Sequence, residues 1–206
     1  MKKSLSLLVM FVSLNLFSQT GLKDFFKLSP PKRTWVLFHL FKAKKTLKIS
    51  LKANKIADSI AKTNLLDGDK SGGQVDAFRH AYWMAILRQE IGKSAARSLG
   101  KAHEKENYLT FKKRELEDGV VPDEISSSMD LWNNEKGLEL TRKGSTISKK
   151  GLIFRVINAI HQGKMKIIKK DKKGNFLSCE GKVISVNSLK GKWKNNKCLV
   201  GSDYKK

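Results

Sequence analysis

The sequence lacks most of the motifs that identify an enzyme class directly. Its 206 residues include two cysteines, three prolines and four histidines. It contains no HExxH, GxSxG, GxxxxGK[ST] or GxGxxG string, which excludes the common zinc-peptidase helix, the serine nucleophile elbow and the usual nucleotide-binding loops. The loop at 67–73 opens like a calcium loop, but Phe78 stands where an EF-hand needs glutamate, so an EF-hand is excluded as well.

Long apolar runs are scarce, and the longest one is close to the N-terminus. Lys2 and Lys3 precede an apolar run over residues 4–17, which is followed by Ser18-Gln19-Thr20. This order is typical of a secretory signal peptide, here residues 1–19, with cleavage near Ser18 to Thr20. A retained N-terminal anchor is the alternative. The mature protein is expected to have no transmembrane segment and to be periplasmic or secreted.

Positive charge is abundant, but arginine is not. The formal net charge is +23, and only seven of the 42 basic residues are arginine. Proteins that recognise phosphate specifically favour arginine for its bidentate geometry. The composition therefore favours loose, salt-sensitive binding to anionic cell-surface components, and it predicts no specific nucleic-acid partner.

Hydrophobic periodicity predicts a mainly α fold with a helical domain over residues 20–163 and a small β-rich basic tail over 164–206. Loops are expected over 21–33, which contains Pro30-Pro31, and over 122–128. About five helices are expected, at Ala43–Asn64, Gln74–Ile91, Ser94–Asn107, Met129–Leu140 and Gly151–His161.

The first of these helices carries an apolar stripe that is expected to face the core, while lysines cover its other side. The stripe consists of Leu47, Leu51, Ile56, Ile60 and Ala61.

Both cysteines lie in the tail. Cys179 and Cys198 form an even pair in a chain that is expected to be exported, so they are predicted to form a disulfide. Zinc binding by the pair is disfavoured because no CxxC string or nearby histidine completes a site.

Titratable side chains are concentrated on the predicted helix over 74–91. Asp76 and His80 are four residues apart and therefore share a helix face, so the carboxylate can orient the imidazole as a general base or metal ligand requires. Arg79 and Trp83 form a neighbouring face, where the guanidinium could stack on the indole or could instead clamp an anionic substrate, and both are candidate substrate-binding residues.

Two later segments supply the remaining candidates. His103 and Glu104 are adjacent on the next helix, and Asp130, Asn133 and Asn134 follow on a third. If the three helices pack together, these side chains converge with those of the first helix.

Such a set of residues suits two chemistries. His80, His103 and Asp130 could bind a divalent metal such as zinc, which would activate water. Alternatively, His80, Asp76, Arg79 and Glu104 could act in catalysis without a metal, with the asparagine amides and Arg79 binding substrate. A purely structural polar network that joins the three helices is a third interpretation.

Three strings carry a resemblance to a known family: GGQVDAFRHAYWMA (72–85), LGKAHEKENY (99–108) and MDLWNNEKG (129–137). With these strings the chain resembles an exported bacterial (Bacteroidota-type) family described only as a domain of unknown function. The resemblance covers roughly residues 30–165 and implies an α-helical domain. It marks Asp76, Arg79, His80, His103, Glu104, Asp130, Asn133 and Asn134 as the positions to carry over, without assigning roles to them.

Two functions remain open on this evidence. The first is an exported hydrolase that acts through the histidine and aspartate site on anionic lipid or phosphodiester substrates. The second is a non-catalytic basic envelope or surface-binding module in which the same residues form a structural network.

Overall fold

The computed structural model describes residues 19–116 and 121–205. The mainly helical fold with a small two-stranded sheet is confirmed, but the helix count is higher than expected. The described residues form eight helices, namely α1 Gln19–Lys27, α2 Pro30–Phe38, α3 Leu40–Ile60, α4 Gln74–Ile91, α5 Lys93–Lys113, α6 Glu124–Glu139, α7 Lys149–His161 and α8 Val186–Leu189, and the strands β1 Lys166–Ile168 and β2 Leu199–Gly201.

The N-terminal helices α1 and α2 replace the loop that was predicted over residues 21–33. That prediction was wrong because Pro30 and Pro31 occupy the first turn of α2, preceded by Ser29 in extended conformation at the N-cap. Proline is well suited to the first turn of a helix, where its fixed φ is already helical and its missing N–H costs nothing.

Helix α6 begins at Glu124, five residues before the predicted start, so the expected loop over 122–128 was also wrong. Asp123 is the N-cap: its carboxylate accepts from the Ser126 backbone N–H at 2.8 Å, and the Ser126 hydroxyl accepts from the Asp123 N–H at 3.1 Å. This is a capping box with serine in the position usually taken by Glu or Gln.

Helix α4 is the centre of the molecule and packs against α3, α5, α6 and α7. Its apolar side chains are buried on every side, including Phe78, Tyr82, Met84 and Leu87. A helix that is apolar all round belongs in a protein interior. Polar residues on the same helix, above all Asp76 and His80, are therefore also carried into the interior.

The predicted stripe of α3 was wrong for its two leucines. The residues that α3 buries are Thr46, Ala53, Ala57 and Ile60, whereas Leu47 and Leu51 are exposed. The alanines provide a flat surface on which α4 can pack closely, and helix geometry then turns the leucines to the opposite side.

The tail is fastened to the helices. Strands β1 and β2 pair antiparallel, isolated bridges join Lys170 to Phe176 and Leu177 to Val183, and the predicted disulfide between Cys179 and Cys198 is confirmed. Met165 and Ile167 are buried in the same hydrophobic cluster as residues of α3, α4 and α7. The tail therefore contributes to the main core.

Residues 1–18, which carry most of the predicted signal peptide, lie outside the described residues. Within 19–116 and 121–205, no helix is both long enough and apolar enough to cross a lipid bilayer.

Candidate functional site

The site begins at the loop that precedes α4. Gly72 has a φ of 87°, and a Cβ at this position would lie 2.9 Å from Cδ1 of Ile168, so both the backbone conformation and the tail require glycine. The Gly72 N–H donates to Asp76 Oδ2 at 2.7 Å. The aspartate lies in the first turn of α4, where the helix dipole favours a carboxylate.

Lys170 holds the same loop from the tail. Its buried ammonium donates to Asp69 Oδ2 and to the Ser71 carbonyl, both at 2.7 Å. Lys170 thus binds the loop much as a bound cation would, at the place where the sequence looks like a calcium loop.

Three buried side chains meet at the centre of the site. The His80 Nε2 atom lies 3.6 Å from Asp76 Oδ1 and 3.3 Å from Asp130 Oδ1. Asp76 and His80 come from consecutive turns of α4, and Asp130 comes from α6. Each of the three residues offers one ligand atom, and these atoms lie within 4.8 Å of one another. Within the part of the chain that the structure describes, Asp76, His80 and Asp130 therefore form a group that could hold a metal ion.

The protonation of His80 is set by its surroundings. Its Nδ1 lies 3.3 Å from Asn134 Oδ1; since a side-chain amide oxygen can only accept, this contact is a hydrogen bond in the tautomer that carries its proton on Nδ1, and that tautomer leaves Nε2 free to bind a metal. Burial lowers the pKa of His80 well below its usual range, and the charges of Arg79 and His103 lower it further. These surroundings therefore favour the neutral imidazole.

Arg79 is the cation nearest to this group. Its Nη2 lies 2.6 Å from Asp76 Oδ1 and 3.3 Å from His80 Nε2. The guanidinium is partly exposed, whereas the aspartate is buried. Arg79 therefore occupies the edge of the group and faces both the interior and the solvent.

His103 lies close to this group without joining its three ligand residues. Its ring is stacked on that of His80 with centroids 6.0 Å apart, and the Trp83 ring meets it edge-on at 5.7 Å. The His103 Nδ1 lies 3.5 Å from Glu106 Oε2. Stacked imidazoles do not direct their nitrogens at one point, so the geometry favours Asp76 over His103 as the partner of His80 and Asp130.

The remaining candidates make structural contacts. Glu104 is buried and accepts from Ser127 Oγ at 2.8 Å and Asn107 Nδ2 at 3.2 Å, which ties α5 to α6. The Asn133 amide bonds both the carbonyl and the N–H of Lys166, at 2.9 and 2.8 Å, and so anchors β1. Trp83 donates to Ser50 Oγ at 2.9 Å.

Glu106, which is not among the residues predicted from the sequence, joins α2 to α5 through an ion pair with Lys32. Burial alone would raise the pKa of Glu106, but hydrogen bonds with His103 and Lys32 lower it to about 2. A signal was available in the sequence, because Glu106 follows His103 by three residues and so lies on the same helix face.

Replacing Glu106 with glutamine is expected to lower the free energy of unfolding at pH 7 by about 2 kcal/mol, since the depressed pKa stabilises the folded protein wherever the carboxylate is ionised. The difference from wild type should be complete above the ordinary carboxyl value of 4.5 and should disappear as the pH falls toward about 2. Urea unfolding at several pH values would measure it. Glu139→Gln, which removes an exposed pair with Lys136, is the control; a pH-independent deficit in Glu106→Gln would contradict the assignment.

Comparison with known proteins gives one match. A family model described as a domain of unknown function (DUF6973) matches residues 33–164. The chain matches no curated protein and no solved structure.

Proposed function

The chain belongs to the DUF6973 family of unknown function, and we propose that this member is a hydrolase whose divalent metal is held by Asp76, His80 and Asp130. The observation that carries the proposal is the convergence of one neutral imidazole nitrogen and two carboxylate oxygens from two different helices. This donor set suits zinc and other divalent transition metals.

The spacing of the donor atoms supports a single ion. Ligands bound at about 2.0–2.1 Å in a tetrahedral site are about 3.3–3.5 Å from one another. The distances from His80 Nε2 to Asp130 Oδ1 and to Asp76 Oδ1 are 3.3 and 3.6 Å. All three ligand atoms lie within 4.8 Å of one another, so side-chain adjustment would be enough to bring them around one ion.

Neighbouring groups orient the donors in the way that metal sites require. Asn134 can accept from Nδ1 of His80, which would leave Nε2 for the ion, and the Gly72 N–H holds Oδ2 of Asp76, so that Oδ1 remains directed at the imidazole. Such outer contacts orient ligands and are characteristic of metal centres.

Arg79 must give up its contact with Asp76 Oδ1 when an ion binds, because both cations would use the same oxygen. Its side chain is partly exposed and can turn outward, where a guanidinium binds the phosphate of an anionic substrate well.

A bound ion would lower the pKa of a water molecule that attacks the substrate. For a phosphodiester, the new bond joins water oxygen to phosphorus, and the leaving alcohol departs with a proton. The basic surface favours anionic lipid or phosphodiester substrates.

Titration of the metal-free protein with Zn²⁺ and Mn²⁺, followed by calorimetry, tests the metal site. We expect one equivalent to bind, and His80→Ala or Asp130→Asn to weaken binding by at least about a hundredfold. Arg79→Gln is expected to tighten binding, because it removes the competing cation. Arg97→Gln, which breaks the surface pair with Glu135, is the control and should leave the affinity unchanged.

Failure to bind either metal would contradict the proposal. It would favour the second candidate function, a non-catalytic module that binds anionic surface components. The observation behind that alternative is that Arg79 already supplies a cation to the buried carboxylates. In that case Arg79→Gln would mainly destabilise the fold, because it would leave a buried carboxylate without its ion pair.

A further inference from the structure

The outer face of α3 combines exposed apolar side chains with lysines. Phe41 is 93% exposed, Leu47 is 58% exposed and Leu51 is 56% exposed. Lys44, Lys48, Lys52 and Lys55 are exposed along the same helix. At about 100° per residue, Leu51, Lys44, Lys55 and Lys48 lie roughly opposite the buried residues Ala53 and Ala57, with Leu47 on one flank of this group and Phe41 and Lys52 on the other. We call this set the α3 outer face.

The end of α2 also exposes large apolar side chains. Leu37 is 60% exposed and Phe38 is 81% exposed, and α3 begins two residues after Phe38. Single exposed apolar residues are normal on protein surfaces, but several large ones on two consecutive helices indicate an interaction site.

The charge around these apolar residues is almost entirely positive. Over its 21 residues α3 has six lysines and one acidic residue, Asp58, which is paired with Lys70. Lys149, the first residue of α7, lies against Lys52, and this contact lowers the pKa of Lys52. Two neighbouring ammonium groups attract an anion, so the positive surface continues from α3 onto α7.

We propose that the α3 outer face docks on an anionic lipid bilayer, with its Phe and Leu side chains at the level of the headgroup and acyl boundary and its lysines at the lipid phosphates. A basic helix with an exposed apolar face is the arrangement that binds such an interface. The proposal depends on α2, α3 and α7 only, and it does not require a metal at His80.

Other occupants fit the surface less well. A second copy of the chain would bring another net charge of +23 against the first, which disfavours self-association. A nucleic acid would satisfy the lysines but would leave Leu47 and Leu51 in water.

Co-sedimentation with vesicles tests the proposal. The full chain would be mixed with vesicles of phosphatidylcholine alone and of phosphatidylcholine with 30% phosphatidylglycerol. We expect binding to the anionic vesicles, and a variant with Phe38, Phe41 and Leu47 all changed to serine should partition about tenfold more weakly or worse. The matched control changes to serine three apolar residues that are exposed outside α2, α3 and α7, namely Leu116, Val183 and Val186, and should bind like wild type.

A second pair of variants tests the location of the charge. Lys44, Lys48 and Lys52 changed to glutamine are compared with Lys172, Lys190 and Lys192 changed to glutamine, so that both variants have the same net charge. Only the first should weaken binding to anionic vesicles. Circular dichroism and thermal melting confirm that all variants are folded.

Three results would overturn the proposal. The first is absence of binding to anionic vesicles. The second is equal binding by each variant and its control, which would indicate diffuse attraction by the whole basic surface. The third is a dimer in analytical ultracentrifugation that dissociates in the Phe38/Phe41/Leu47 variant, which would make a second copy the occupant.

Discussion

Gly137→Ala is expected to lower the free energy of unfolding by about 3 kcal/mol or more, although alanine is the better helix former. Gly137 lies inside α6 where that helix crosses α4. A Cβ at this position would lie 2.2 Å from the Ala81 carbonyl oxygen and 2.6 Å from its Cα. Both are backbone atoms of α4, so no side-chain rotation can relieve the clash and the two helices must separate.

The same substitution should also disturb the candidate site. Ala81 follows His80 on α4, and Asp130 and Asn134 lie on α6 with Gly137, so separating the helices pulls the imidazole away from its partners. We expect metal binding to be lost together with stability. Guanidinium unfolding and metal titration would measure the two effects.

Gly151→Ala is the matched control, because it too is a helical glycine. Its Cβ would meet only side-chain atoms, with Cγ1 of Ile147 the nearest at 3.2 Å, and these can move. We expect no loss of stability, and a gain of up to about 1 kcal/mol, because alanine is the better helix former. Equal destabilisation in the two variants would show that backbone contact between α4 and α6 is not the cause.

A chain that ends at Lys164, where the family match stops, is expected to show no cooperative unfolding transition. The deletion removes Met165 and Ile167 from the main core, and burial of a side chain of this kind is worth about 1.5–3 kcal/mol. It also removes Lys170, which pairs with Asp69, and Lys197, which pairs with the N-cap residue Asp123. Together these losses are comparable to the whole stability of a small domain.

Thermal melting followed by circular dichroism would measure this effect. A chain that ends at Tyr204 loses only the last two lysines and should melt like the full chain. A cooperative transition in the shorter chain, within a few degrees of wild type, would show instead that residues 33–164 fold independently and that the tail is an appendage.

The sequence predicted best the features that depend on local periodicity. The bounds of α4 match the prediction of Gln74–Ile91, because a continuous apolar pattern ends at Gly92. The contact of Asp76 with His80 followed from their spacing of four residues. The disulfide followed from the presence of only two cysteines.

Features that depend on helix packing could not be predicted in this way. Whether Asp76 or His103 would be the nearest partner of His80 and Asp130 depends on how α5 lies on α4, and helical spacing contains no information about that. The exposure of Leu47 and Leu51 was missed for a related reason, since α3 presents small residues to α4 and periodicity alone had favoured the larger ones. The Asn133 amide was expected to bind substrate, but its partner Lys166 is 33 residues away in the tail.

The contacts that hold the loop before α4 have a consequence for the order of folding. Lys170 reaches Asp69 across 101 residues of sequence, and the Gln74 amide reaches the Ser202 carbonyl across 128. Contacts over such separations require the closure of a long loop, and each can form only once both of its ends have been synthesised. A nascent chain can form α4 and bring Asp76 close to His80 long before it contains the residues that fix the loop. The final geometry around Asp76 is therefore reached only after synthesis has passed Ser202, and an incomplete chain carries the site residues without the finished site.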